Sequence, residues 1–270
     1  MNNTKPPQSS PLRAHFHAPG SDLMTKLRQA SGLHQQGRLG DAELLYREVL
    51  AKAPDHPDVL HFLGVLETQR GRHEAGIALM ERAIAINPRN AAAQYNRANA
   101  LRDIGRSAEA IAAYDAALLI NPDNIRAWNN RGVALQTLTR YDEAIASYDR
   151  ALALKSDHID AHTNRGNALM ELGRYADALA AYDRTVALAP NDVAGLYGRA
   201  NALGKLGRQE EAVGYYDRAL TVTPDDPQIL NNRGNTLSQL SRYEEAIADF
   251  SRAIAAHPTT RMPSPTAAML

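Results

Sequence analysis

Asparagine recurs at 34-residue intervals as Asn96, Asn130, Asn164 and Asn232, and again three residues further on as Asn99, Asn167, Asn201 and Asn235. A carboxamide donates through its NH2 group and accepts through its oxygen, so a row of them can pair with both the C=O and N–H groups of an extended peptide. The same groups can equally bond to one another and bridge neighbouring segments of the chain. Residue type alone leaves both roles open. A third row, Arg97, Arg131, Arg165, Arg199 and Arg233, runs with the same period as Asp115, Asp149, Asp183 and Asp217. The matched charges favour arginine–aspartate pairs, with the aliphatic stems covering apolar surface, over guanidiniums held ready for an outside carboxylate or phosphate.

Other kinds of chemistry find no assembled set of groups. The chain has no cysteine, which removes disulfides, thiolate metal sites and cysteine nucleophiles together. His158 and His162 are four apart, but the first falls in a turn and the second at a core position, with no further ligand beside them. His15 and His17 lie in a proline-rich beginning. The carboxylates belong to repeating rows, so no unique acid–base pair stands out. The expectation is a chain without catalytic residues, metal or cofactor, and hence not an enzyme.

What positions the asparagines is a repeat. Proline falls every 34 residues at Pro54, Pro88, Pro122, Pro190, Pro224 and Pro258, with Ser156 in the gap. Small residues keep the period at Ala30, Gly64, Ala98, Gly132, Gly166, Ala200 and Gly234, and again at Ala42, Ala110, Ala144, Ala178, Ala212 and Ala246. Seven units follow, roughly 23–56, 57–90, 91–124, 125–158, 159–192, 193–226 and 227–260. In unit 125–158, Trp128, Gly132 and Leu135 share one helical face, and Ala144, Tyr148, Ala151 and Leu152 share another, so each unit is predicted to be a pair of helices. Gly37, Gly71, Gly105, Gly173 and Gly207 mark the turn between them, and Thr139 and Ser241 at that position predict two less relaxed turns.

Small residues in the Gly132 and Ala144 rows let the paired helices approach, while Tyr46, Tyr114, Tyr148, Tyr182, Tyr216 and Phe250 fill the space beside them. Acids at Asp41, Glu109, Glu143, Asp177, Glu211 and Glu245 fall in the first turn of each second helix, where they offset the helix dipole. Asn90 and Asn124 are placed to cap the helices that follow them. Asparagine inside a helix competes for backbone hydrogen bonds, so its recurrence there calls for a compensating role.

This pattern resembles the tetratricopeptide repeat, whose signature unit 125–158 follows through Trp128, Gly132, Leu135, Ala144, Tyr148 and Ala151, with Ser156 in place of the closing proline. The resemblance covers residues 23–260 and implies an all-α, right-handed superhelix whose first helices line a concave groove for a peptide or protein segment. It weakens in the first unit, where Lys26, Gln29 and Val49 depart from the signature as a terminal repeat can. Some members hold a chaperone tail through a lysine–asparagine–asparagine–lysine–arginine clamp. The corresponding positions here, Tyr95, Asn99, Asn130, Asp160 and Asn164, keep the asparagines and lack every cation, while His61, Asn129, Thr163 or Asn231 stands at the first lysine position elsewhere. The phrase Asn-Arg-Gly-Asn at Asn164–Asn167 and Asn232–Asn235 also resembles the repeats that present substrates in O-linked N-acetylglucosamine transferases. That likeness implies an alternative role as the substrate-recruiting arm of such an enzyme, with the catalytic region elsewhere.

Thirty basic and 30 acidic residues cancel among 270, so no global field favours nucleic acid or an anionic membrane. Residues 1–22 carry four of the 14 prolines, Pro6, Pro7, Pro11 and Pro19, with Gly20 beside the last and no long apolar run, which predicts a flexible tail rather than a signal peptide; residues 261–270 form a second tail. No stretch of about 18 apolar residues predicts a membrane span, and the default location is cytoplasmic. Proline-rich sequence after Pro258 cannot extend a helix, so the face bearing Leu237, Leu240 and Ile247 is expected to lack a cover and to support a homodimer. The function expected is that of a scaffold or adaptor binding an extended peptide or protein segment.

Overall fold

The computed structural model describes residues 19–256, and every regular element among them is an α-helix. The chain divides into two compact units, Met1–Arg89 and Asn90–Leu270. The first holds α1 (Pro19–Gln35), α2 (Leu39–Lys52), α3 (Pro57–Gln69) and α4 (His73–Ile86). The second holds α5 (Ala91–Asp103), α6 (Ser107–Ile120), α7 (Ile125–Thr137), α8 (Tyr141–Leu154), α9 (Ile159–Glu171), α10 (Tyr175–Leu188), α11 (Val193–Lys205), α12 (Gln209–Val222), α13 (Pro227–Gln239) and α14 (Tyr243–Ala256). Odd-numbered helices open each repeat and even-numbered ones close it. Each opening helix packs on its own closing helix, and α6, α8, α10 and α12 pack in turn on α7, α9, α11 and α13.

The paired helices meet at the joint that the small residues predict. A Cβ placed on Gly132 would come within 2.5 Å of the Tyr148 ring, and one on Gly166 or Gly234 within 2.7 Å of Tyr182 or Phe250. The missing side chain is therefore what allows the buried ring to lie against the opening helix. The turn after each opening helix needs a left-handed residue, supplied by glycine at five places including Gly105 (φ 78°). Thr139 (φ 57°) and Ser241 (φ 61°) adopt the same conformation, which a Cβ makes costly.

Helix ends show both an expected device and one that pattern reading missed. Asn90 and Asn124 accept from the N–H groups of Ala93 and Ala127 at 2.9 and 3.1 Å, and His158, Asp192 and Asp226 cap α9, α11 and α13 in the same way. At six of the closing helices, all but α4, the arginine just before the helix binds the acid three residues on: Arg38 with Asp41, Arg106 with Glu109, Arg140 with Glu143, Arg174 with Asp177, Arg208 with Glu211 and Arg242 with Glu245. The row was visible at its 34-residue spacing, but an arginine before a helix carries no capping signal of its own.

Two expectations change at the chain ends. The helix α1 starts at Pro19, inside the segment 1–22 read as tail, since proline suits the first turn of a helix and Asp22 follows there. At the other end Leu237 is buried and Leu240 packs with Val213 and Ala246, so both belong to the interior rather than to an open face. Ile247 is exposed as expected, and the apolar side chains exposed with it on α14 are Tyr243 and Ile254. Pro258, His15, His17 and segment 261–270 lie outside the described residues. Among the described residues no helix is long and apolar enough to cross a membrane.

Candidate functional site

The asparagine rows lie on the opening helices α5, α7, α9, α11 and α13, and most of their amides already have partners. Asn130 on α7 donates to the Tyr95 hydroxyl at 3.3 Å and to Asn99 Oδ1 at 3.1 Å on α5. One repeat on, Asn164 donates to Asn129 Oδ1 at 3.2 Å. Asn232 repeats the first arrangement, donating to the Tyr197 hydroxyl at 2.7 Å and to Asn201 Oδ1 at 3.1 Å. These bonds tie α7 to α5, α9 to α7 and α13 to α11 within the unit Asn90–Leu270, while at α11 the row carries Gly198. Sequence reasoning missed Tyr95, Asn129 and Tyr197 as partners, although they share one register and stand 35 residues before the amide that reaches them.

The second row is anchored from below. Tyr114, Tyr182 and Tyr216 each donate a 2.6 Å hydrogen bond to the amide oxygen of Asn99, Asn167 or Asn201. Where the row lacks asparagine, at Val133, Tyr148 turns to the Gln136 side chain instead. Burial pushes the phenols of Tyr114, Tyr148, Tyr182 and Tyr216 up, so they stay protonated and able to donate. At the last repeat the donor is missing, because Phe250 replaces the tyrosine, and Asn235 makes no hydrogen bond among the described residues. Asn96 lies half-buried on α5.

The arginine row is committed to structure. Arg131 and Arg165 bind Asp115 and Asp149 of the preceding closing helix at 2.6 and 2.7 Å, and Arg199 and Arg233 bind Asp183 and Asp217 likewise. Each has a second partner from its own repeat where one is offered. Arg131 reaches Ser147 at 2.7 Å, Arg199 lies 3.9 Å from the Tyr215 ring centre, and Arg233 holds the buried carboxylate of Asp249. Hydrogen bonding to Asp249 raises the Arg233 pKa further, so this charge does not titrate. His158 caps a helix and His162 bonds the Ser156 carbonyl at 2.9 Å. No cluster of three or more acidic or histidine side chains that could hold a metal occurs among the described residues.

An open cavity of about 330 Å³ lies over α9, α11 and α13, with Met170, Asn201, Lys205, Asn232, Asn235 and Gln239 among its walls. It is thus built from three consecutive opening helices and from both asparagine rows.

The profile of the tetratricopeptide repeat matches residues 27–91, 75–128, 95–159, 129–193, 163–227 and 197–261. The chain belongs to the tetratricopeptide-repeat family. Solved structures of the family share its fold: the C-terminal part of a repeat protein from Cytophaga hutchinsonii has a TM-score of 0.72 at 18% identity, covering 87% of this chain and 96% of that one. A repeat protein from Parabacteroides merdae has a TM-score of 0.67 at 20% identity over 88% and 94%. YrrB, described as a tetratricopeptide-repeat protein with an unusual peptide-binding site, is 25% identical over 67% of this chain and 95% of its own, with a TM-score of 0.57. Among curated proteins the chain is similar to the rhomboid protease GluP of Bacillus subtilis, 30% identical over 83 residues. That match spans 31% of this chain and 16% of GluP.

Proposed function

We propose that this chain is a protein-interaction module that holds an extended peptide segment along the opening helices of the unit Asn90–Leu270. The observation that carries the reading is the anchored amide row. Tyrosine hydroxyls occupy the oxygens of Asn99, Asn167 and Asn201 at 2.6 Å, so the NH2 groups are what these residues have left to offer a ligand. A fixed series of N–H donors suits the carbonyls of an extended main chain, and orienting it beforehand reduces the entropy lost on binding. Asn130, Asn164 and Asn232 contribute by setting the spacing between successive donors, and Asn96 belongs to the same row. The peptide-binding site ascribed to YrrB supports this use of the fold. A cytoplasmic location is part of the same reading. The test is calorimetric titration with a peptide selected from a random display library. Asn167→Ala should weaken binding by about 0.5–1.5 kcal/mol, the worth of one hydrogen bond. Unchanged affinity in Asn167→Ala and in Asn235→Ala together would remove the amide row from the binding site.

A second copy of the chain is the further partner we propose. Val213 and Leu220 on α12 are 5% and 7% exposed beneath the next repeat, whereas their counterparts Ile247 and Ile254 on α14 are 64% and 72% exposed. Head-to-tail stacking on α1 is disfavoured by Lys26, paired to Glu48 at 2.6 Å, at the register where α11 and α13 bring Leu196 and Leu230. Pairing of α14 with α14 of the second copy covers both faces at once. Sedimentation should show a concentration-dependent dimer that Ile247→Glu with Ile254→Glu abolishes, and a wild-type chain that stays monomeric at high concentration would reject it.

A further inference from the structure

We propose that the first repeat, α1 with α2, is a salt-responsive lid that swings away from α3 while α3 and α4 stay folded. The residues that carry it sit where α2 meets the end of α3. At the Glu43 register every other repeat has isoleucine, leucine or valine, and at the Glu67 register every other repeat has leucine. Arg70 likewise stands where Leu138, Leu172, Leu206 and Leu240 occur later in the chain. Between α12 and α13 the same registers make an apolar joint, in which Val213 and Leu237 are buried and Leu240 packs against them. The joint between α2 and α3 is ionic instead.

Two carboxylates and three guanidiniums meet there. Glu67 is 2% exposed, and its oxygens accept from Arg47 at 3.1 Å and from Arg72. Glu43 accepts from Arg47 at 2.8 Å, from Arg70 and, at 3.4 Å, from Arg72. Hydrogen bonding from Arg47, with the nearby charges of Arg70 and Arg72, holds the Glu43 carboxyl below the usual carboxylate range, so it stays ionised at neutral pH. The pairs Arg47–Glu67, Arg70–Glu43 and Arg72–Glu43 cross the joint, whereas Arg47–Glu43 lies within α2 and Arg72–Glu67 lies on the side of α3. Separation therefore leaves each carboxylate an arginine of its own and returns the broken hydrogen bonds to water. An apolar joint has no such open state, because parting it exposes hydrocarbon and gains nothing.

The surroundings fit a lid on a pivot. Leu27, Tyr46 and Val49 of the first repeat share a buried cluster with Val59, Leu63 and Leu66 of α3, so opening uncovers an apolar face of α3. The turn after α2 stays behind, since Arg82 of α4 holds the Pro54 carbonyl at 3.1 Å and Asp55 at 3.2 Å. That places the pivot at the end of α2.

Hydrogen exchange of the full chain at neutral pH, read by mass spectrometry, tests the lid. Raising sodium chloride from about 0.05 to about 1 M should speed exchange in α1 and α2 about threefold, because salt screens the partly exposed arginines of the joint. Exchange in α3 and α4 should stay slow, and α13 and α14, held by the apolar joint, should not respond to salt. Glu43→Val with Glu67→Leu and Arg70→Leu copies that apolar joint, and should slow exchange in α1 and α2 about tenfold and remove the salt response. Glu67→Gln takes the buried charge from between Arg47 and Arg72, and should speed exchange there about tenfold at low salt. Equal salt responses in α1–α2 and α13–α14 would mean ordinary fraying and overturn the lid. It would also fall if α3 and α4 exchanged in step with α1 and α2, or if the triple variant exchanged as fast as wild type. Loss of helical circular dichroism in the triple variant would overturn it too, since the joint would then depend on its charges to form.

Discussion

At the scale of single residues, Asn201 and Asn235 are the same amino acid at the same register with opposite roles. Asn201 Oδ1 accepts from Tyr216 and from Asn232, so Asn201→Ala leaves a buried hydroxyl without its partner and should cost about 1–3 kcal/mol. Asn235 is exposed and makes no hydrogen bond among the described residues, so Asn235→Ala should stay within about 0.5 kcal/mol of wild type. Urea unfolding of the two variants checks the contrast, and equal losses would contradict the assigned partners. The mirror substitution is Phe250→Tyr. A hydroxyl there has the Asn235 oxygen as its acceptor, and thermal melts should show a gain of about 0.5–1.5 kcal/mol. The asparagine rows were legible in the sequence as an oddity inside helices. Their partners were not, because Tyr95 and Tyr197 reach across to the next repeat and no pattern within one helix reveals such a pair.

At the scale of helices and turns, the joint between Gly132 and Tyr148 sets how closely α7 and α8 approach. Gly132→Leu should destabilise by about 1–3 kcal/mol through overpacking. Ser156→Pro restores the proline row on an exposed residue that follows Lys155 in extended backbone (ψ 95°), and should stabilise by about 0.4–1 kcal/mol. Similar melting shifts of one sign would count against both assignments. High pH probes the same joints. Burial pushes the Tyr46 phenol up to about 12 from an ordinary 10.0, and also raises Tyr114, Tyr148, Tyr182 and Tyr216. A raised phenol favours the folded state fully below pH 10, and its contribution is lost as the pH climbs through the folded value. Phenolate absorbance from these five rings should therefore appear together with loss of helical circular dichroism, and its appearance in a fully helical protein would refute their burial. Helix pairs, turns and the Asn90 and Asn124 caps could be read from spacing because each depends on neighbours within about four residues. The open face at the last helix was misplaced by the same reasoning. Leu237 and Ile247 share apolar character, and only three-dimensional packing separates the buried one from the exposed one.

At the scale of the whole molecule, the repeats of Asn90–Leu270 form a series in which each contacts its neighbours. Removing α13 and α14 should accordingly leave amide protection in α5 to α10 intact, and global loss of protection would argue against nearest-neighbour stability. The central claim is that one face of this series, made by the opening helices, holds an extended peptide. Because the chain has no cysteine, a single one can be introduced and labelled with a photo-activated cross-linker at a chosen place. Gly204→Cys puts it in the cavity over α9, α11 and α13, and Leu119→Cys puts it on an exposed position of the closing helix α6. With a peptide selected from a random display library, the account predicts cross-linking from position 204 and none from position 119. Efficient capture from 119 with none from 204 would contradict it.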